Sequence, residues 1–192
     1  MKIGIYSGSF NPIHFGHIKL AKYLIDNDLV DEVWLVVSPQ NPLKKEADLA
    51  EDLLRLKMAE IALKGEKKIK VSDIEFHLPK PSYTIDTLNY LQKKYPENEF
   101  CLLIGSDNVA VFDKWKNYTE ILQKFSVIVY PREGYEQKTE LYQQMIFVDA
   151  PKFNISSTEI RERLSKNLHC KEFLPKKIIE FIKNNKIYPF CI

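Results

Sequence analysis

The chain has 192 residues, of which 45% are hydrophobic, and its formal net charge at pH 7 is +2. This composition is ordinary for a globular protein with a sizeable core, and so small a net charge argues against a nucleic-acid-binding protein and against a membrane-surface protein. No apolar run approaches membrane-spanning length, and the cysteines Cys101, Cys170 and Cys191 have the spacing of neither a disulfide framework nor a zinc site.

Reduced cysteines and the lack of a signal peptide indicate a cytoplasmic protein. The length favours a single domain over residues 1–192, and the sequence leaves open whether that domain forms a homo-oligomer. Charge is unevenly distributed, because residues 151–192 carry nine Lys and Arg against four Glu. That basic end is either a solvated helix face or a surface that receives a polyphosphate.

In the first half of the chain, strands and helices alternate. An apolar strand at Lys2–Tyr6 precedes a helix at about His17–Asp26. The continuous apolar run Glu32–Val37 is typical of a buried parallel strand. A polar loop at residues 38–45 separates it from a helix at about Asp48–Leu63.

The second half continues the alternation. Four further strands are predicted, at residues 69–72, 100–104, 126–130 and 146–148. The helices predicted between and after them start at residues 82–87, occupy parts of 109–123 on either side of Trp115, and span about 157–165 and 175–184. Strands alternating with helices predict an α/β fold with a Rossmann-like, doubly wound parallel sheet.

The turn between the first strand and the first helix, residues 8–17, reads Gly-Ser-Phe-Asn-Pro-Ile-His-Phe-Gly-His. In an open α/β sheet, ligands bind at the carboxyl ends of strands. Gly8 allows close approach of the backbone to a ligand, and the free amides that open the helix favour anions. His14 and His17 are three residues apart, so both rings can face one phosphate. The alternative is that they only cap the helix and fill the turn.

Polar clusters follow several of the predicted strands at their carboxyl ends, where they would converge on one crevice. Near the end of the chain, Ser156-x-x-Glu159 is a capping-box pattern that starts a helix at Ser157 and leaves amides free for an anion. Arg161 follows on the same side as Ser157 and Thr158. An ordinary cap with a solvent-facing arginine fits this local pattern equally well.

Two of these runs resemble the signatures of the nucleotidyltransferase superfamily, whose members transfer a nucleotidyl group from a triphosphate onto a phosphate. Residues 8–17 match G-[ST]-F-[DN]-P-x-H-x-G-H, and residues 155–161 match I-S-S-[ST]-x-[IV]-R. Three further features are similar to the bacterial nicotinate-nucleotide adenylyltransferase family. They are Ser82–Thr87, Gly105-Ser106-Asp107 followed by Trp115, and Pro131-Arg132. The resemblance covers residues 3 to about 164.

The resemblance implies a role for each matching position. It makes His14, His17 and Arg161 the catalytic residues that hold the ATP phosphates, with His17 at the α-phosphate. The ATP-binding residues that it implies are Gly8, Ser9, Phe10, Gly16, Gly105, Asp107, Ser156, Ser157 and Thr158. Those implied for the second substrate are Tyr83, Thr84, Trp115 and Arg132. The helices at about 157–186 are expected to complete the ATP site.

The second-substrate assignment also agrees with the chemistry of the residues. A tryptophan beside a strand edge can stack on a flat pyridine ring. The helix that opens near Thr84 offers amide donors and a partial positive charge, which suit a nicotinate carboxylate better than a neutral carboxamide. Plain core packing is the alternative for Trp115, because large aromatic side chains are commonly buried.

The loop after the second strand departs from the family pattern P-x-x-x-P-P-H-K. Here it reads Pro39-Gln40-Asn41-Pro42-Leu43-Lys44-Lys45, which is shorter and has no histidine. Asn41 and Lys44 are the candidates for holding the phosphate of the mononucleotide, since lysine binds phosphate as a point charge. A solvated pair of charges is the alternative.

The reaction that the resemblance implies is ATP plus nicotinate mononucleotide giving deamido-NAD and pyrophosphate, with Mg²⁺ carried by the ATP phosphates. The partners expected are those two small molecules, with no nucleic acid and no membrane. Two alternatives are a phosphopantetheine adenylyltransferase, which shares both signatures, and a non-catalytic nucleotide-binding module. A dehydrogenase is disfavoured because no G-x-G-x-x-G follows the first strand.

Overall fold

A computed structural model of the protein describes residues 1–39, 49–132, 134 and 143–188. Its strands, in chain order, are β1 (Lys2–Gly8), β2 (Glu32–Val37), β3 (Ile69–Ser72), β4 (Glu99–Gly105), β5 (Ser126–Tyr130) and β6 (Met145–Phe147). They form one sheet in the order β3-β2-β1-β4-β5-β6, and every neighbouring pair is parallel. The predicted Rossmann-like parallel sheet is confirmed.

The α-helices of the described residues are α1 (Phe15–Asp26), α2 (Asp52–Ala62), α3 (Thr84–Lys94), α4 (Ser106–Val109), α5 (Tyr118–Lys124), α6 (Ser157–Ser165) and α7 (Lys176–Asn184). Short 3₁₀ helices cover Ile74–His77 and Phe112–Lys114. None of the described helices has the length and apolar content needed to cross a membrane.

The sheet is covered on both faces, as its continuous apolar strands require. Alternate residues of each strand point to opposite faces, so β4 gives Leu103 to one apolar cluster and Leu102 to the other. The first cluster contains residues of α1, α2, α6 and α7, and the second contains residues of α3, α4 and α5. The two carboxy-terminal helices therefore pack on the same core as α1 and α2.

The strand order brings the two glycine turns of the sequence together. β1 pairs with β4, and these strands end at Gly8 and Gly105. From β1 the chain runs outward through β2 to β3, and it then crosses to β4 on the other side of β1. In doubly wound sheets the crevice at this change of direction is where ligands bind.

Several predicted boundaries are wrong by a few residues. β1 continues to Gly8, and α1 begins at Phe15 instead of His17 because His14 caps it. α2 begins at Asp52, later than the predicted residue 48. The pattern also missed the 3₁₀ helix at Ile74–His77, whose single turn is too short to show a helical periodicity.

Candidate active site

The two histidines of the first turn form a capping box at the start of α1. The Nδ1 atom of His14 accepts a hydrogen bond from the backbone N–H of Gly16 at 3.1 Å. The backbone N–H of His14 donates in turn to Nδ1 of His17 at 3.2 Å. A Cβ atom on Gly16 would lie 3.0 Å from the His14 ring, so the glycine makes room for this arrangement. The sequence analysis predicted His17 as the first residue of the helix, but it is the third.

This box fixes which nitrogen of each ring carries the proton. Because each Nδ1 accepts a hydrogen bond, a neutral ring must carry its hydrogen on Nε2. The rings of His14 and His17 are stacked, with centroids 3.7 Å apart and planes 26° apart. Both rings line a small cavity of about 30 Å³. Capping and phosphate binding are therefore compatible, because the cap uses Nδ1 and a phosphate would accept from Nε2–H.

Burial keeps His14 neutral in the ligand-free protein. The side chain is 4% exposed, and desolvation together with the nearby positive charge of Arg132 lowers its pKa to about 3. At pH 7 the ring is therefore an uncharged hydrogen-bond donor. A polyphosphate beside it would favour the protonated form and raise this pKa.

The depressed pKa predicts an acid-sensitive fold. Below pH 6.5 the unfolded chain binds a proton at residue 14 and the native protein does not, so stability falls as the pH drops towards 3. Between pH 7 and pH 5, His14 alone should lower the free energy of unfolding by about 2 kcal/mol. Urea unfolding at several pH values should show this loss in the ligand-free protein but not in His14→Asn, which keeps a capping oxygen. Parallel pH profiles for the two proteins would contradict the prediction.

Aromatic rings support His17 from below. The Phe10 ring lies 5.0 Å from the His17 ring, edge to face, and Phe10 is almost fully buried. Its φ of 43° lies in the left-handed region, which a bulky residue rarely adopts. The Tyr6 ring lies 5.6 Å from the Phe10 ring and 5.9 Å from the His17 ring, measured between centroids. The turn is thus held by packing in a conformation that places the imidazoles over the end of β1.

The second signature docks directly on the first. Nη1 of Arg161 donates to the backbone oxygen of Asn11 at 2.9 Å, and the Ser157 hydroxyl donates to the backbone oxygen of Pro12 at 3.0 Å. Ile155 lines the same small cavity as the histidines. Residues from opposite ends of the chain therefore meet at one sheet edge.

The remaining residues of the second signature shape the start of α6. The Ser156 hydroxyl accepts from the backbone N–H of Glu159 at 3.1 Å, but the Glu159 carboxylate lies 3.8 Å from Arg163, so the capping box is only half formed. Nη2 of Arg161 donates to the Thr158 hydroxyl at 3.4 Å. No carboxylate of the described residues lies within ion-pair distance of Arg161. Its charge is available to an anion.

A larger cavity of about 160 Å³ lies at the same edge, between the ends of β1 and β4 and the opening of α3. Tyr83, Thr84 and Trp115, the residues predicted for the second substrate, all line it together with Gly8 and Gly105. The opening of α3 faces it through Tyr83 and Thr84, and no side chain caps this helix. Its first amides therefore carry the positive end of the helix dipole to the cavity wall.

Trp115 both packs and lines the cavity. Its ring lies 5.2 Å from that of Phe112, which belongs to the core of that face. Core packing therefore does not exclude a place on the cavity wall, and stacking of Trp115 on a pyridine ring stays a prediction. Next to it, the Lys116 ammonium lies 4.6 Å from the Tyr83 ring centroid and 2.8 Å from the Asp86 carboxylate. Lys116, which the sequence analysis did not single out, adds a cation to the rim of the cavity.

Arg132 lies beside the histidines and not beside Trp115. It lines the smaller cavity, where its Nη2 donates to the Tyr130 hydroxyl at 3.3 Å and its Nε lies 3.8 Å from the Asp107 carboxylate. A Cβ atom on Gly105 would approach the Asp107 carboxylate and the Arg132 side chain to 2.3 and 2.9 Å. The glycine leaves room for these two side chains, which cross directly over it.

Two buried charged residues at the site escaped the sequence analysis. Arg55 of α2 is completely buried and donates to the backbone oxygens of Ser9, Ser38, Pro39 and Ala50 and to the Asp52 carboxylate, at 2.6 to 2.9 Å. Glu75 is 3% exposed and lines the larger cavity. Each lies in a segment whose pattern resembles an ordinary exposed surface, so no local signal marks them.

The loop residues Asn41 and Lys44 lie outside the described residues. Within the part of the chain that is described, no three His, Cys, Asp or Glu side chains are grouped as they would be around a metal ion. Cys101 and Cys170 are buried free thiols, and burial raises the pKa of Cys101 to about 12. The reactive geometry is therefore one of hydrogen-bond donors, cations and a flat aromatic wall.

Comparisons with known proteins identify the family of the chain. Residues 5–163 match the cytidylyltransferase-like family model. The solved structure of Plasmodium falciparum nicotinic acid mononucleotide adenylyltransferase complexed with NaAD superposes with a TM-score of 0.84 over 99% of this chain and 98% of that one. At 23% sequence identity, this likeness shows that the fold is shared.

Curated relatives are closer in sequence. A probable nicotinate-nucleotide adenylyltransferase of Bacteroides fragilis is 51% identical over 174 residues, covering 90% of this chain and 87% of the relative. The protein of the same description from Flavobacterium johnsoniae is 44% identical over 191 residues, covering 98% and 99%. With identity this high over nearly the whole length, the chain belongs to the nicotinate-nucleotide adenylyltransferase family.

Proposed function

We propose that this protein transfers the adenylyl group of ATP to nicotinate mononucleotide, giving deamido-NAD and pyrophosphate. The observation that carries the proposal is the meeting of the two signatures, where Arg161 binds Asn11 and Ser157 binds Pro12, beside an aromatic cavity. The names of the relatives support the same activity. A polyphosphate at the histidines and a mononucleotide in the cavity would share one sheet edge.

The chemistry needs positioning and charge stabilisation more than acid–base catalysis. An oxygen of the acceptor's 5′-phosphate, already ionised at pH 7, attacks the α-phosphorus of ATP. A new P–O bond forms, and the bond from the α-phosphorus to the bridging oxygen breaks. The electron pair of that bond leaves with pyrophosphate. No general base and no covalent intermediate are required.

The histidines and Arg161 act on the negative charge that shifts during this step. Nε2–H of His17 and Nε2–H of His14 donate to phosphate oxygens, and the guanidinium of Arg161 neutralises the departing pyrophosphate. The backbone of residues 8–10 holds the nucleotide against β1, and the opening of α6 at residues 156–158 adds amide donors. Gly16, Gly105 and Asp107 complete the nucleotide side of the site.

Magnesium enters this scheme with ATP. Because the described residues offer no group of three metal-binding side chains, we place Mg²⁺ on the ATP phosphates and water. The protein binds the magnesium–nucleotide complex as substrate, and its own cations contact the oxygens that the metal leaves exposed.

The acceptor cavity favours an acid over an amide. Trp115 offers a flat face to a pyridine ring, and the opening of α3 at Thr84 and the ammonium of Lys116 are the groups at the cavity that would attract a nicotinate carboxylate. A phosphopantetheine arm is flexible and aliphatic, so it has no flat ring that could stack on Trp115. Arg132 lines the cavity of the histidines and not that of Trp115, so we assign it to the phosphates instead of the pyridine.

Pyrophosphate release with ATP and each acceptor in turn tests the proposal. We expect turnover with nicotinate mononucleotide, slower turnover with nicotinamide mononucleotide and none with phosphopantetheine. Turnover with phosphopantetheine as acceptor and with neither mononucleotide would favour a phosphopantetheine adenylyltransferase. No pyrophosphate with any acceptor, despite ATP binding, would favour a non-catalytic nucleotide-binding module.

Removing the aromatic wall should weaken acceptor binding selectively. In Trp115→Ala we expect the KM for nicotinate mononucleotide to rise about 10- to 100-fold, since stacking on a base is worth about 1–3 kcal/mol. The KM for ATP should change little. Tyr90→Ala, an exposed aromatic of α3, is the control and should leave both constants unchanged. An equal rise in both KM values would indicate a general structural defect.

A further inference from the structure

We propose that Glu75 polarises a line of serine hydroxyls along the wall of the larger cavity, making it a surface of hydrogen-bond acceptors that binds the ribose hydroxyls of the acceptor mononucleotide. The hydroxyls belong to Ser7, Ser38 and Ser82. The inference deepens the proposed function and rests on it for the identity of the substrate.

Glu75 lines the same cavity and is a buried hydrogen-bond acceptor. Ser7 donates to Oε1 at 2.7 Å, Ser82 donates to Oε2 at 2.9 Å, and Thr87 donates to Oε1 at 3.3 Å. No Lys, Arg or His of the described residues is within ion-pair distance of this carboxylate. Hydroxyl groups from three separate segments therefore take the place of most of the water around this carboxylate.

These bonds determine the direction of the hydroxyl hydrogens. A serine hydroxyl has one hydrogen and two lone pairs, and the hydrogens of Ser7 and Ser82 are directed to Glu75. The Ser38 hydroxyl lies 3.1 Å from that of Ser7. Since the Ser7 hydrogen is already used, Ser38 must be the donor of that pair. All three serines line the cavity, and the hydrogens of their hydroxyls are engaged within this network.

A surface of this kind selects for donors. A nicotinate mononucleotide has a phosphate and a carboxylate, which only accept hydrogen bonds, and a pyridine ring, which has no donor. Its ribose hydroxyls are the only donors that it can offer to the cavity wall. The same surface repels the two anionic groups, which leaves them to the cationic and amide-rich parts of the site.

Acceptor analogues lacking one hydroxyl test this assignment. Nicotinate mononucleotide and its 2′-deoxy and 3′-deoxy forms are titrated into the protein without ATP and are also used in turnover. We expect the wild-type protein to bind at least one deoxy form about tenfold more weakly, because a buried acceptor is left unpaired.

Variants of the serine network then show whether the discrimination depends on the hydrogen-bond polarity of the cavity wall or only on its shape. Glu75→Gln keeps the shape but donates from its amide, so one serine must reverse its hydrogen. We expect this variant and Ser7→Ala to lose the discrimination, with the KM for ATP unchanged. Thr87→Val removes a hydrogen bond to Glu75 at a residue that does not line the cavity, and it should keep the wild-type discrimination. Ser7→Ala remains informative if Glu75→Gln fails to fold.

The outcomes distinguish the two proposals. Equal binding of all three compounds by the wild-type protein overturns the ribose assignment, as does unchanged discrimination in both Glu75→Gln and Ser7→Ala. Binding of nicotinate mononucleotide without turnover overturns the proposed reaction, while the binding data still decide the ribose assignment. Failure to bind the mononucleotide overturns both.

Discussion

His17→Ala should lower kcat by about 10²- to 10³-fold, the usual cost of removing one donor that stabilises charge in the transition state. The capping box uses Nδ1 of His17, so in the proposed mechanism the group that donates to the phosphates is Nε2–H. Alanine has neither group. Steady-state kinetics with saturating ATP and nicotinate mononucleotide measure the effect, and circular dichroism checks that the fold is retained.

The loss of the cap itself is a smaller effect. It should cost about 1 kcal/mol of stability, which does not unfold a protein of ordinary stability. His77→Ala is the matched control, because that side chain is 65% exposed and its ion-pair partner is Asp73 at 3.1 Å, away from the histidine turn. We expect its kcat to stay within twofold of wild type. Near-normal turnover in His17→Ala would remove His17 from the mechanism.

Arg55→Met should have the largest effect on stability, lowering the free energy of unfolding by about 3–5 kcal/mol. The guanidinium is fully buried and satisfies four backbone oxygens, among them those of Ser9 and Ser38. Methionine fills the volume but leaves these oxygens without a donor. Because Ser9 belongs to the histidine turn, the KM for ATP should rise as well. Urea unfolding measures the first effect and initial rates the second.

Two comparison variants make the Arg55 prediction specific. Arg55→Lys keeps the charge but offers three donors for five acceptors, so we expect an intermediate loss of stability. Lys57→Met, an exposed position on the same helix, should change the free energy of unfolding by less than about 0.5 kcal/mol. If Arg55→Lys were as stable as wild type, the guanidinium fork would not be what holds the turn.

The fold was predictable because its signals are local. Continuous apolar strands alternate with amphipathic helices, and this alternation determines a parallel doubly wound sheet with its crevice at the strand ends. The signature turns could be placed at that edge for the same reason. Thr84 and Trp115, although 31 residues apart in the chain, were assigned to one pocket through family resemblance, and the structure places both at the same cavity.

The parts that could not be predicted depend on long-range contacts. Arg55 is one of several charged residues of an amphipathic helix, and only the packing of α2 against the ends of β1 and β2 makes it buried. Glu75 lies on a single 3₁₀ turn, and its three partners come from segments up to 68 residues away. The capping box and the stacking of the two histidine rings likewise follow from ring orientation, which spacing alone does not determine.

Asn11 has a consequence for biosynthesis of the protein. Its side-chain oxygen accepts from the hydroxyl of Tyr188, 177 residues further along the chain, and its backbone oxygen accepts from Arg161. The turn at residues 8–17 is therefore among the first segments to leave the ribosome and among the last to reach its final conformation. A nascent chain that ends before Tyr188 lacks the hydrogen bond from Tyr188 to Asn11. We therefore expect the affinity for ATP to appear late in translation.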